Sequence, residues 1–255
     1  MIRRAFHVGV LACLCLLATT HVQAGLPETI AGLKPSVVLI GTFKATDSPR
    51  FQLRGTGFIV ANGQLVVTNA HVLPSPAGGD APALVVQVRQ ASGEWQMRPV
   101  ATLETNPAYD LALLRMEGPP GTPARLGDSG SVREGDDLAF MGFPIGGVLG
   151  FSPVTHRATV SSITPAALPS PSAGRLSETA IRGLRNGTFN IFQLDATAYP
   201  GNSGGPLFDP ESGHVVGVLN MVLIKGTRES ALSQPSGISY AIPGVHVREM
   251  LDRHR

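Results

Sequence analysis

An all-β chain built as two successive antiparallel barrels is the fold class that this sequence predicts. Short segments rich in Val, Ile, Leu and Thr recur along it, each bounded by Gly, Pro or Asn-Gly turns. No stretch ahead of Gly118 carries a helical apolar period long enough for a substantial helix. A glycine- and proline-rich link, Gly118 to Gly121 with Pro123, divides the strands into two sets.

The first residues stand apart from this pattern. Arg3 and Arg4 precede an apolar run from Ala5 to Ala18, and Val22-Gln23-Ala24 has the small residues of a cleavage site. This reads as a secretory signal peptide over residues 1–24, removed after Ala24, which sends the protein to the periplasm. Val10-Leu11-Ala12-Cys13 loosely follows a lipoprotein box, so lipid anchoring through Cys13 is the alternative. The apolar run is too short, and the remainder too polar, for a membrane span in the mature form. Both cysteines, Cys13 and Cys15, lie in this segment, so the mature chain must rest on its hydrophobic core without disulfides.

From Gly25 onward a single domain is expected, with one barrel over about residues 36–117 and another over about 132–243. Leu26 to Leu33 suits a short helix, and Val37 to Phe43 is a β-branched strand. Ala45 to Gln52 is polar and reads as a loop. Gly55 to Val60 and Gln64 to Val67 make a hairpin about Asn62-Gly63, the strongest short hairpin signal. Pro74 to Pro82 is a loop; Ala83 to Val88, Trp95 to Leu103 and Leu111 to Met116 complete the first set of strands. The second set comprises Leu138 to Gly142, Thr155 to Ile163, Phe189 to Leu194, Val215 to Leu223 and Gly237 to Ala241. Pro165 to Gly187 holds a long Pro- and Ser-containing loop. Pro243 to Arg253 has helical spacing at Val247, Met250 and Leu251, with Pro243 suited to a first turn.

Composition removes one class of function. Without Arg3 and Arg4 the chain has 18 basic and 18 acidic residues, so the pI of 8.7 partly reflects the leader. A neutral chain lacking a basic run offers nothing to nucleic acid. No cofactor is implied. His156, His214, His246 and His254 lack metal-ligand spacing and read as surface or core residues, and Asn186-Gly187-Thr188 reads as a turn.

The chemistry concentrates in three segments. Gly201-Asn202-Ser203-Gly204-Gly205-Pro206-Leu207 places a serine among glycines, which let the backbone turn sharply and approach a ligand closely. The amides of Gly201 and Ser203 can point at one spot and stabilise an oxyanion, with Asn202 between them in the same loop. A serine hydroxyl needs a base held by a third group. Val66-Val67-Thr68-Asn69-Ala70-His71-Val72 runs a strand into a histidine, and Asn106-Pro107-Ala108-Tyr109-Asp110 delivers an aspartate to the apolar run Leu111 to Leu114. Asp80, Asp128, Asp136 and Asp137 lie in loops with no apolar strand directly behind them, which favours Asp110 as the orienting group.

In the order His, Asp, Ser these segments resemble the trypsin-like serine proteases. G-T-G-F-I-V, V-T-N-A-H-V, Y-D-L-A-L-L, G-N-S-G-G-P-L and G-I-S-Y-A-I-P are similar to the HtrA (Deg) branch over roughly Ser36 to Pro243. The resemblance implies a chymotrypsin-like double barrel of six strands each, and an exported endopeptidase acting on misfolded or other envelope proteins. It implies a triad of His71, Asp110 and Ser203, a loop-bracing role for Asp195, and Thr197 at the base of the S1 pocket, with Asn220, Met221 and Val222 on its wall. None of these pocket residues is charged, so small or medium apolar P1 residues are expected. Asn202 stands where digestive trypsins carry aspartate, which argues against activation by N-terminal cleavage. A homotrimer through the segment Gly25 to Lys34 is a common assembly in the family and stands here beside a monomer as an equal expectation, and no room is left for the PDZ domain that most relatives carry. A peptide-binding or chaperone-like module on the same fold, with little proteolysis, is the alternative function.

Overall fold

Among the described residues, twelve strands alternate with tight turns between two short helices. A computed structural model of the protein describes residues 25–75, 81–144, 150–166, 189–220 and 237–254. Residues 1–24, most of the stretch from Pro165 to Gly187 expected as a loop, Met221 and Val222 therefore lie outside the described residues.

Helix α1 (Leu26–Leu33) carries proline in its first turn and buries Thr29 and Leu33. The first barrel comprises β1 (Val37–Phe43), β2 (Phe51–Val60), β3 (Leu65–Asn69), β4 (Ala83–Arg89), β5 (Trp95–Asn106) and β6 (Leu111–Met116). The second comprises β7 (Asp137–Gly142), β8 (Val154–Pro165), β9 (Asn190–Asp195), β10 (Pro206–Phe208), β11 (Val215–Asn220) and β12 (Ile238–Pro243), followed by helix α2 (Val245–Asp252). Each set closes on itself, in the orders β1-β2-β3-β6-β5-β4 and β10-β11-β12-β9-β8-β7, with every pairing antiparallel. Closure leaves neither sheet a free edge.

Three elements differ from the sequence expectation. Phe51 and Gln52 belong to β2 rather than to the polar loop, because they pair with Phe43 and Thr42 beyond an irregularity at Ile40/Gly41. Pro206–Phe208 forms a strand of three residues, too short to show a period, paired to β7 and β11. Pro243 ends β12 instead of opening the helix, and Gly244 occupies the helix N-cap.

The core has three parts. Val38, Ile40, Ile59, Val66, Leu114 and Met116 fill the first barrel, and Leu138, Phe140, Val160, Leu194, Leu207 and Leu219 fill the second. The third part is the seam between them, where Val37, Leu39, Phe58, Val67, Leu113, Met141, Phe208 and Val218 meet. Strands at the seam are apolar on both faces: in β1, Val37 and Leu39 face the seam while Val38 and Ile40 face the barrel interior. Val247, Met250 and Leu251 of α2 join the same seam, so the C-terminal helix packs across both barrels.

Candidate active site

The seam brings the three sequence segments to one place. Strand β3 ends at Asn69, and a single 3-10 turn, Ala70–Val72, presents His71 at the surface. The loop after β5 delivers Asp110 beside it. The Asp110 Oδ2 lies 2.6 Å from Nδ1 of His71, and its Oδ1 accepts the His71 main-chain N–H at 2.9 Å. The Asp110 carbonyl accepts from Ala70 N and from the Asn69 side-chain amide, each at 3.0 Å. With Nδ1 bonded to the carboxylate, the proton on the neutral ring sits at Nδ1 and Nε2 is left as the base.

Ser203 comes from the second barrel, in the loop ahead of β10. Tyr199-Pro200-Gly201-Asn202 forms a turn in which Asn202 N donates to Tyr199 O at 3.0 Å and Gly201 takes φ +105°. Proline at the second position and a positive φ at the third are the marks of a type II turn. At Gly204, φ is +85°, and a Cβ would overlap the Thr56 carbonyl and the Thr68 hydroxyl. Only glycine permits that approach.

The amides of this loop divide into two groups. Asn202 N, Gly204 N and Gly205 N each donate to a carbonyl: Tyr199, Leu219 and Asn202 respectively. Those of Gly201 and Ser203 donate to no described residue. Asn202, grouped with the oxyanion residues in the sequence reading, therefore does not offer its amide to a ligand, because Tyr199 already holds it. The Ser203 hydroxyl makes no hydrogen bond among the described residues.

Residues 55–218 match the family model of the trypsin-like peptidase domain. The chain belongs to that family. It is homologous to HtrA proteases: it is 30% identical over 235 residues to the mitochondrial serine protease HTRA2 of Drosophila ananassae, covering 89% of this chain and 46% of that protein. It is 29% identical over 227 residues to the serine protease PepD of Mycobacterium tuberculosis, covering 88% and 45%. The chain spans about half the length of these curated relatives. The crystal structure of Deg5 superposes with a TM-score of 0.61 at 26% identity, covering 88% of this chain and 90% of that one. Residues 55–218 are thus a trypsin-like peptidase domain, carried on a chymotrypsin-like double barrel.

For a trypsin-like peptidase domain, two positioning residues were not legible in advance. Thr56, fully buried in β2, donates its hydroxyl to Gly201 O at 2.6 Å and accepts from Phe143 N at 3.0 Å. Its main-chain N–H donates to Ser203 O at 2.9 Å, and its carbonyl accepts from Thr68 Oγ1 at 2.7 Å. One threonine thus ties the serine loop of the second barrel to the first. Its sequence signal is faint: a lone hydroxyl between Gly55 and Gly57 in an apolar strand. Asn220, expected on the wall of the S1 pocket, turns its side-chain amide to Asp110 Oδ2 at 2.8 Å. Its place at the end of β11 brings it across the seam.

Thr197 is half-buried, six residues ahead of Ser203, and Met221 and Val222 lie outside the described residues. Asp195, expected to brace the serine loop, is exposed at the end of β9, and its carboxylate reaches no partner among the described residues. Asn202 is fully buried, and neither of its side-chain polar atoms has a partner among the described residues. It sits where a trypsin aspartate would need a cationic partner. No group of His, Cys, Asp and Glu suited to a metal occurs among the described residues.

Proposed function

We propose that this chain is an exported serine endopeptidase in which Ser203, His71 and Asp110 form the catalytic triad. Ser203 Oγ attacks the scissile carbonyl carbon while Nε2 of His71 takes its proton. The tetrahedral oxyanion is held by the amides of Gly201 and Ser203. His71 then returns the proton to the leaving amine, and water repeats the sequence to free the acyl-enzyme. Asp110 fixes the ring tautomer and stabilises the imidazolium.

The observation that carries this reading is the 2.6 Å contact between Asp110 and Nδ1 of His71, beside a loop whose Gly201 and Ser203 amides have no acceptor among the described residues. A ring held at Nδ1 has its other nitrogen available as base. A nucleophile that is not yet bonded to it is common before substrate binds. The finer parts of the proposal are cleavage after small or medium apolar residues, with Thr197 at the pocket base and Met221 and Val222 on its wall, and action on misfolded envelope proteins. Residues 1–24 act as the signal for export to the periplasm, and the mature domain begins at Gly25. Its assembly is either a homotrimer through residues 25–34 or a monomer, which light scattering of the mature protein distinguishes.

Fluorophosphonate labelling and casein digestion test it. The wild-type protein should label at Ser203, and Ser203→Ala should lose labelling and about 10⁶ in kcat with its fold intact. Casein cleavage by purified Ser203→Ala at a rate near that of wild type would refute the assignment.

A further inference from the structure

Tyr109 immediately precedes Asp110, and its ring lies flat against the imidazole of His246 on α2, with centroids 3.8 Å apart and planes 17° from parallel. Phe189, just ahead of β9, meets both rings edge-on, 4.8 Å from Tyr109 and 5.5 Å from His246. Each ring touches the other two. The cluster joins a loop of the first barrel, a strand end of the second and the C-terminal helix.

Its location matters because of the Asp110 backbone. Asp110 holds φ +50°, in the left-handed region that a residue with a Cβ adopts only against steric resistance. Such a conformation persists when its surroundings over-determine it. On the following side, Leu111 is fixed by pairing with Asn69, and the Asp110 carbonyl is held by Ala70 N and the Asn69 amide. On the preceding side, the Asn106 side chain caps Ala108 N at 3.1 Å, and the next residue, Tyr109, is gripped through its ring. Relaxing Asp110 to negative φ swings that ring out of the cluster.

The helix face that grips it is itself secured. Nδ1 of His246 lies 3.2 Å from the Glu249 carboxylate, and the His246 side chain is 12% exposed. Arg253 and His254 bind Glu104 of β5 at 2.6 and 2.8 Å, fastening α2 to the first barrel a second time. Both Asp110 carboxylate oxygens are engaged with His71, so a rotation of the Asp110 peptide disturbs both contacts together.

We propose that His246 is a positioning residue for Asp110: stacked on Tyr109 and squared by Phe189, it holds the loop in the left-handed turn from which the carboxylate reaches His71. This rests on the proposed triad. The imidazole acts here as a flat ring, so phenylalanine should replace it and alanine should not.

The test uses the mature chain as wild type, His246→Ala, His246→Phe and Tyr109→Ala. Three readouts are followed: peptide hydrolysis, thermal melting, and the NMR signal of the His71 Nδ1 proton. His246→Ala and Tyr109→Ala should lower kcat about tenfold with little change in KM, since a displaced orienting group weakens catalysis rather than binding. The Nδ1–H signal of His71 should move upfield and exchange faster with water, because a displaced carboxylate lengthens its hydrogen bond. His246→Phe should restore both. A lower melting temperature for His246→Ala with unchanged kcat and His71 Nδ1–H signal would make the cluster mere packing and overturn the proposal. So would a loss that His246→Phe fails to rescue. A wild-type chain that neither cleaves nor labels would refute the triad reading instead, and the His71 Nδ1–H signal still decides whether His246 positions Asp110.

Discussion

Asn220, at the end of β11 in the second barrel, donates its side-chain amide to Asp110 of the first barrel at 2.8 Å. The Asp110 carboxylate is thus held from both sides of the seam. Its Oδ2 receives Asn220 as well as the His71 ring, so the lone pairs that remain are directed by two donors. A hydrogen bond to a charged group contributes about 1.5–3 kcal/mol. Asn220→Ala is therefore expected to lower kcat/KM roughly tenfold to a hundredfold while the protein remains folded. Asn220→Asp, which faces Asp110 with a second carboxylate, should be worse than Asn220→Ala. Steady-state kinetics on a peptide substrate, with circular dichroism as the folding control, would decide. Equal kinetics for wild type and Asn220→Ala would remove Asn220 from the site.

Thr56 carries a second prediction. Replacing its hydroxyl with a methyl in Thr56→Val leaves the Gly201 carbonyl without a donor and Phe143 N without an acceptor, both buried. Each orphaned group costs about 1–3 kcal/mol. The melting temperature should drop by roughly 5–10 °C for a domain of this size. Activity at a temperature where the protein is still folded should fall as well, because the Gly201 turn loses its tether. Thr56→Ser keeps the hydroxyl and should retain most of both. A Thr56→Val protein that melts and cleaves like wild type would show that the tether is dispensable.

His156 predicts an acid sensitivity. It lies against Phe140 with ring centroids 4.8 Å apart, its Nε2 is buried without a partner among the described residues, and burial holds its pKa below the ordinary imidazole range. The unfolded chain therefore binds a proton at His156 more tightly than the folded one. This contribution to stability is complete above the unfolded imidazole value of about 6.5, and is lost as pH falls from there toward the lower folded value. Melting should shift downward on acidification below about pH 6.5. His156→Phe should reduce that drop by about 2–4 °C between pH 7 and pH 5. Parallel melting curves for the two proteins across this range would contradict the assignment.

Substrate preference gives the last prediction. Thr197 is uncharged, and the side chain of Asn220 is already engaged with Asp110. A Lys or Arg side chain entering the proposed pocket would meet no carboxylate from these residues. Burying an unpaired ammonium costs several kcal/mol, roughly a thousandfold or more in rate. Mass spectrometry of digested casein should show cleavage after Ala, Val, Leu or Thr. Cutting mainly after Lys, Arg or Phe would sink the pocket assignment and leave the triad untouched.

The sequence by itself determined the local elements and the candidates for chemistry. β-Branched runs, the Asn62-Gly63 turn and the glycines around Ser203 act through neighbouring residues, so they are readable without knowing the fold. For the same reason the helix over Leu26–Leu33 could be read correctly and the three-residue strand Pro206–Phe208 could not, since three residues display no period. Tertiary structure alone decided which polar groups hold the site. Thr56 lies 145 residues from the Gly201 carbonyl that it binds, and Asn220 lies 110 residues from Asp110. Nothing local distinguishes either side chain from an ordinary buried threonine or asparagine. The seam decided the rest: strands such as β1 lose their apolar–polar alternation because one face fills a barrel and the other packs against the second barrel. Only closure of both sheets, and their meeting, makes a second apolar face favourable and sets Asp110, His71 and the Ser203 loop side by side.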